Sequence, residues 1–461
     1  MKKLWIILPL ALAVLTGTGC KQNSEVDSGS TGSDTTNTGD DSSDFVDEQT
    51  WNSTINLVWN GTDVTVTGSA DGVTITNSNG YVTVTSTAKH IEYAVSGSGT
   101  GQLSIYSDYK FKLSLEGLTL ACSDGPAINN QCSKTCYAVL GGTNTLSDGA
   151  SYASSSEDRK AAFFSEGQIC FSGSGSLAIT GNYKHALASD DYIRLCSGTG
   201  VIDLTAKVSD GLHTNDGVII NDGTLTINAA DEGIQCDESS VLITGGTVTV
   251  ISQTEGIEAK GVLEISGGRV FAQANDDAIN SGGDMTISGG VVMAFSTGND
   301  GLDANGNCYI TGGTVYAIGA SSPEVAIDAN TEERKQLYVQ GGTIVAIGGL
   351  ESGASLSQTC YSASSVSKST WYALYSGSDL AFVFKTPSSL SSSTFVVSTS
   401  GTASLMSGVT TSGGAAILNS YALSAPTVSG GSSVTLSSYS GGNSSGGPGG
   451  GGNPGGRPGG W

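Results

Sequence analysis

The sequence predicts an all-β chain built as a right-handed, three-sided parallel β-helix of about 22 residues per coil, with a small C-terminal β cap. Two recurring signatures and the composition predict it. A turn signature recurs as "SDGLHT", "DEGIQC", "TEGIEA", "DDAINS" and "NDGLDA", with "EVAIDA" as a drifted sixth copy. Its central small residues, Gly211, Gly233, Gly256, Ala278, Gly301 and Ala326, are spaced 22, 23, 22, 23 and 25 apart. A second signature, "ITGGTV", "ISGGRV", "ISGGVV", "ITGGTV" and "VQGGTI", keeps phase with it, its glycine pairs beginning at Gly245, Gly267, Gly289, Gly312 and Gly341. The chain holds Gly 67 against Pro 8 and is rich in Ser, Thr, Val and Ile, a composition suited to pleated strands and tight turns. The stretch "GNDGLDAN" (298–305), taken alone, suggests a calcium loop. The period near 22 excludes a nine-residue calcium repeat, and the register of an EF-hand is missing.

From the N-terminus, "MKKLWIILPLALAVLTGTGC" carries two lysines, an apolar stretch and small residues ending at Cys20. Residues 1–20 read as an export signal, too short for a membrane span. The segment resembles a bacterial lipoprotein signal, which implies an acylated Cys20, a place at the bacterial cell envelope or surface, and membrane contact through that lipid anchor only. Residues 21–50 are Ser, Thr, Gly and acid, expected to form a flexible linker. Residues 51–352 carry the β-helix, whose early strands read in "DVTVTG", "GVTITNS" and "FKLSLEGLTL". Beyond them the period is lost, and "WYALYSG", "LAFVFKT" and "TFVVSTS" within 353–427 read as strands of a cap that closes the exposed end. Residues 428–461, ending "GGPGGGGNPGGRPGGW", read as a disordered tail.

The net charge of -23 argues against nucleic acid and anionic membrane surfaces as partners and favours divalent cations. A monomer is expected. Setting Cys20 aside, eight of the nine cysteines remain, a number that permits disulfides without assigning them. Three histidines and the absence of a paired C-x-x-C spacing leave zinc a weak alternative.

Side chains on a strand alternate between faces, so the repeats sort into columns. Val248, Val270, Val292 and Val315 point inward, as do Ile220, Ile243, Ile265, Ile287, Ile310 and Val339. Leu212, Ile234, Ile257, Ile279, Leu302 and Ile327 give a third apolar line. Outward beside them stand His213, Gln235, Glu258, Asn280, Asp303 and Asp328, and just before each small residue stand Asp210, Glu232, Glu255, Asp277 and Asp300. Like charges stacked about 4.8 Å apart repel by about 1 kcal/mol per pair in water and more where water is excluded. Lysine and arginine are scarce between 200 and 330, which leaves a hard cation, calcium, to neutralise them. The candidate ligands are Asp276, Asp277 and Asn280 on one coil with Asn299, Asp300 and Asp303 on the next. Further candidates are Glu255 with Glu258, Asp231 with Glu232, and Asp328. The alternative is that these are solvated turn acids.

The coil text "GNYKHALASDDYIRL", "SDGLHTNDGVIINDGTLTI" and "DEGIQCDESSVLITGGTVTV" resembles the calcium-binding parallel β-helix carbohydrate-binding domain of secreted bacterial proteins, over residues 50 to 350. The resemblance implies bound calcium, a polysaccharide ligand such as cellulose or polygalacturonate, and a fold similar to that of pectate lyases. The "DD..N" and "ND..D" spacings at 276–280 and 299–303 also look like the aspartate cluster of a β-helical pectate lyase family. A lyase would need a base to take the α-proton of a uronate. The candidates Lys260, Arg269, Arg334 and Lys335 match no lyase spacing, so binding rather than catalysis is the expectation, with a lyase or a structural adhesin as alternatives. Sugar rings would stack on Phe271 and Tyr316 in one outward column, which also holds Met293, and on Tyr309 and Tyr338 in another; packing under a loop or the cap is the competing reading.

Overall fold

The computed structural model describes residues 42–363 and 365–441. Cys20, the segment 1–20 read as an export signal and the Gly/Pro-rich end lie outside the described residues. Each coil contributes three short strands to three parallel columns. In one coil these are Ile279–Ser281, Met285–Ile287 and Val291–Ser296. They pair in parallel with Leu302–Ala304, Cys308–Ile310 and Thr314–Ile318 of the next coil, so that Ile279 faces Leu302, Ile287 faces Ile310 and Val292 faces Val315. The first column is an 11-stranded sheet, parallel except for its terminal hairpin of Val73–Ser78 with Tyr81–Ser86. The parallel β-helix is therefore the fold.

Register explains the core. Because equivalent residues face one another, the three apolar lines become continuous ladders inside the coil. Ile220, Ile243, Ile265 and Ile287, like Val248, Val270 and Val292, are buried in one hydrophobic cluster running along the chain. Burial of each such side chain contributes about 1.5–3 kcal/mol. The paired glycines of the second signature make the corner that lets the ladder continue. The second glycine of each pair is left-handed, with φ of 73° at Gly246, 77° at Gly268, 74° at Gly290 and 72° at Gly313. The first lies against the coil below: a Cβ at Gly267 would sit 2.1 Å from the carbonyl oxygen of Thr244.

After the last coil the chain turns antiparallel. Phe395–Ser398 pairs with Thr343–Ile347 at the end of the third column and with Cys360–Ala363. A six-stranded sheet that includes Trp371–Ser376 and Asp379–Lys385 then lies over the outer face of that column. Phe271, Met293, Tyr316 and Val345 leave the coil outward and are buried against Tyr372, Phe384 and Phe395 in a second core. Tyr421 stacks on Phe271 at 5.9 Å, and the Tyr316 hydroxyl donates to the Lys385 carbonyl at 3.2 Å.

Two boundaries differ from the sequence expectation. The segment expected to be linker is docked from Ser42: Asp44 pairs with the buried Arg194 at 3.2 Å, and Trp51 packs edge-on against Tyr137. At the other end, Ser437–Tyr439 pairs with Cys360–Ala363, so strand structure runs past residue 428. In both places long-range partners hold a segment whose composition reads as loose. The eight cysteines of the described residues are free and buried, with no disulfide among them.

Gly268→Ala forces a side chain into the left-handed region with its Cβ 2.5 Å from the Gly245 carbonyl oxygen. We expect it to cost about 1–3 kcal/mol, read as a lowered midpoint in chemical denaturation. Thr286→Ala, on the half-exposed outer face, serves as the control; equal midpoints for the two variants would contradict this account of the corner.

Candidate functional site

The acidic signature lies where the third column turns into the first. Parallel pairing stacks these turns: the Gly256 amide donates to the Asp277 carbonyl at 3.0 Å and the Ala278 amide to the Asp300 carbonyl at 3.1 Å. Side chains of one column position therefore meet their equivalents in the next coil. His213, Gln235, Glu258, Asn280 and Asp303 form a single register line along the outside of the first column. Compensation of charge along this line changes from one end to the other.

At the N-terminal end the acids are met by histidine and lysine side chains. Asp210 is buried, with His185 Nδ1 and His213 Nδ1 each 3.0 Å from its Oδ2. Burial alone would raise this carboxyl, but its hydrogen bonds to the two imidazoles outweigh that and hold it well below the usual carboxylate range. Burial depresses His185 to about 4. For His213 burial also opposes the charge, yet hydrogen bonds to Asp210 and Asp237 prevail and raise it to about 9. Glu232 is pushed up to about 9, by burial first and then by Asp210. Asp231 accepts from the Thr254 hydroxyl at 3.2 Å and lies in one group with Asp210 and Glu232. In the next rung Glu258 meets the Lys260 ammonium and accepts from Gln235 Nε2 at 3.3 Å. Glu258 is thus engaged by Lys260 and does not join the convergent set, while half-buried Glu255 is raised by burial and by its acidic neighbours Glu258 and Asp276.

At the C-terminal end no such match exists. Asp277 Oδ1 accepts from the Asp300 amide at 3.0 Å, and Asp300 Oδ1 accepts from the Val325 amide at 2.6 Å. Asn280 Nδ2 bridges Asp277 Oδ2 at 3.0 Å and Asp303 Oδ2 at 3.3 Å. Asp300, Asp303 and Asp328 each offer a carboxylate oxygen within 4.8 Å of the others. Among the described residues no Lys, Arg or His forms an ion pair with Asp277, Asp300, Asp303 or Asp328. Burial, before any charge repulsion, pushes Asp277 to about 8, Asp300 to about 7 and Asp328 to about 9, and raises Asp303 as well. Buried carboxylates with no cationic partner take up either protons or a metal ion. Their all-oxygen donor set fits a hard divalent cation, which takes 6–8 oxygens at 2.3–2.6 Å in the case of calcium. Asp276 and Asn299 stand outside this convergence, joined to each other at 2.7 Å on the outer lip of the turn.

The aromatic candidates separate cleanly. Phe271 and Tyr316 are buried beneath the C-terminal sheet and cannot meet a glycan; the cap, distant in sequence, fills the space in front of them. Tyr309 and Tyr338 stand outward on the second column, half-buried, stacked at 4.9 Å and 7°. Of the candidate bases, Lys260 is held by Glu258, Arg269 begins a strand of the third column, and Arg334 and Lys335 follow the turn Thr331–Glu333. Sequence reasoning missed His185 and Asp237. His185 could have been found by aligning "KHALAS" on "DGLHT", since Leu187 pairs with Leu212 and His185 then occupies the place that Asp210 holds in the next coil.

The carboxyls raised by burial bind protons more tightly in the folded than in the unfolded chain, where an aspartate titrates near 3.9. Their contribution to stability is therefore present at acid pH and lost as pH rises from about 4 through about 9. Thermal melts in chelator should show the wild type losing stability toward alkaline pH faster than Asp277→Asn, and calcium should restore the wild type alone. Parallel pH profiles for the two proteins would contradict the uncompensated cluster.

The family of carbohydrate-binding domain-containing proteins matches residues 78–324 and 241–408. Among solved structures, the chain is similar to the polysaccharide lyase-like protein from C. thermocellum in its gadolinium derivative, at 21% identity over 54% of this chain and 96% of that one, with a TM-score of 0.43. No curated protein matches. With the two matched stretches running together from residue 78 to residue 408, the chain belongs to the carbohydrate-binding domain-containing protein family.

Proposed function

We propose that this protein binds polysaccharide at the bacterial cell surface, held there by a lipid on Cys20, and that binding depends on calcium. Family membership supports the polysaccharide. The observation that carries the calcium is the convergence of buried Asp300 with half-buried Asp303 and Asp328, which buried Asp277 adjoins through Asn280 and the Asp300 amide, and none of the four forms an ion pair among the described residues. A bound ion would fix the turns of adjacent coils and replace the protons those carboxyls otherwise hold.

The charge of the chain shapes the choice of glycan. At a net charge of -23, a polyanion such as polygalacturonate is repelled unless divalent ions lie between the two. A neutral chain such as cellulose feels no such repulsion and would rely on hydrogen bonds and on aromatic contact, for which Tyr309 and Tyr338 offer an open surface. Calcium dependence should accordingly be steep for the polyuronate and shallow for cellulose.

Pull-down on pectate gel and on insoluble cellulose, with calcium or with chelator, tests both parts. We expect retention on pectate to fall at least tenfold in chelator and in Asp300→Asn, and Tyr309→Ala with Tyr338→Ala to weaken cellulose retention. Retention on neither material would overturn the glycan reading, and retention indifferent to chelator would overturn the calcium reading.

A further inference from the structure

The N-terminal end of the outward line carries a donor set of a different kind. His185 comes from one coil, and Asp210 and His213 from the next. Each imidazole places Nδ1 3.0 Å from the same carboxylate oxygen, Asp210 Oδ2, and the two rings stack at 4.2 Å and 18°. All three residues are buried, at 2%, 1% and 7% exposure. The remaining nitrogen of His213, Nε2, lies 3.4 Å from Asp237 Oδ2, the arrangement by which a carboxylate fixes the ring of a metal-binding histidine.

His185 Nδ1 has room for one proton or one lone pair and two neighbours that compete for it. The Asp210 amide donates to His185 Nδ1 at 3.4 Å, which puts a lone pair on that nitrogen. Its 3.0 Å approach to Asp210 Oδ2 then sets two acceptors face to face. A proton or an ion at Nδ1 removes that conflict and displaces the long amide contact, while Nε2 is buried with no partner among the described residues. His213 Nδ1 is shared in the same way, 3.0 Å from both Asp210 Oδ2 and Gln235 Oε1. Two donors about 2.1 Å from one ion stand about 3.4 Å apart at the tetrahedral angle, so the 3.0 Å approaches on both sides of Oδ2 need open by only a few tenths of an ångström to admit one.

We propose that His185 Nδ1, Asp210 Oδ2 and His213 Nδ1 bind a divalent transition-metal ion of the zinc or cobalt class, with Glu232 adjacent as a further carboxylate donor. Imidazole nitrogen favours such ions over calcium, which takes oxygen ligands. Asp237 is exposed and sets the His213 Nε2 side of the site next to solvent. The site is independent of the calcium proposal, because the Glu258–Lys260 rung lies between the two sets.

The test uses untagged full-length protein, stripped of metal and titrated with Co²⁺ in excess Ca²⁺. The chain has three histidines, and His90, whose Nδ1 meets the Thr50 carbonyl at 2.8 Å, lies outside the site and serves as an internal reference. We expect one equivalent of Co²⁺ to bind with visible d–d absorption and to shift the ring resonances of His185 and His213 and not those of His90. Asp237→Asn should weaken Co²⁺ binding about tenfold, within the range for such outer partners, and His213→Gln should weaken it further, while Asp300→Asn leaves it unchanged. Unmoved His185 and His213 resonances in the wild type would overturn the proposal, whether or not His213→Gln folds. Displacement of Co²⁺ by Ca²⁺, or loss of Co²⁺ binding in Asp300→Asn, would overturn it equally.

Discussion

Parallel pairing at about 4.8 Å makes every side chain the neighbour of its own counterpart in the coil above and the coil below. This constraint governs the rest of the structure. An apolar residue repeated at one position becomes a ladder and a core, as the isoleucines from Ile220 to Ile310 do. A charged residue repeated at one position becomes a row of repelling groups, which the fold holds together through backbone hydrogen bonds on either side. The same periodicity that stabilises the interior thus concentrates unfavourable electrostatics on one outer line. That line is where a ligand, a proton or a counter-charge is required.

The chain answers the requirement differently from coil to coil. Asp210 is flanked by two imidazoles, Glu258 by a lysine just past the end of its own strand, and Asp277, Asp300, Asp303 and Asp328 by amides and one another. Amide donors stabilise single carboxylate oxygens but add no charge, so the deficit accumulates toward the C-terminal coils. Neutral Gln235 and Asn280 are spacers in this scheme. Gln235 hands a hydrogen bond from the histidine end to Glu258, and Asn280 holds two aspartates at hydrogen-bond distance from one amide without neutralising either.

The fold and the columns were legible in the sequence because both depend on one local period, and burial at every coil reinforces it. Convergence of Asp277, Asn280, Asp300 and Asp303 followed directly from that period. Features fixed by a distant partner were not legible. Whether Phe271 and Tyr316 face solvent is decided by Tyr372, Phe384 and Tyr421, from a part of the chain without the repeat. The docking of Asp44 is decided by Arg194, whose position in its own coil says nothing of what will cover it. Glu258 and Asp303 occupy equivalent places, and only the identity of Lys260 two residues further on separates a paired acid from an unpaired one. His185 was hidden because its coil departs from the acidic signature at the one position that matters.

The two docked segments also determine which outer surface remains for a large ligand. The C-terminal sheet covers the third column over the coils of Phe271, Met293 and Tyr316. The segment from Ser43 to Trp51 covers the second column where Tyr137, Cys170 and Cys196 stand. Tyr309 and Tyr338 belong to the same second column but to later coils, beyond that segment and away from the sheet, and they stay half-exposed. Asp303 and Tyr309 are six residues apart on one coil, on adjoining sides of the corner at 305–307. An extended polymer touching both would cross that corner, so under the proposed reading cation and aromatic contact would serve different stretches of glycan, and a neutral and an anionic polysaccharide would draw on different parts of one surface.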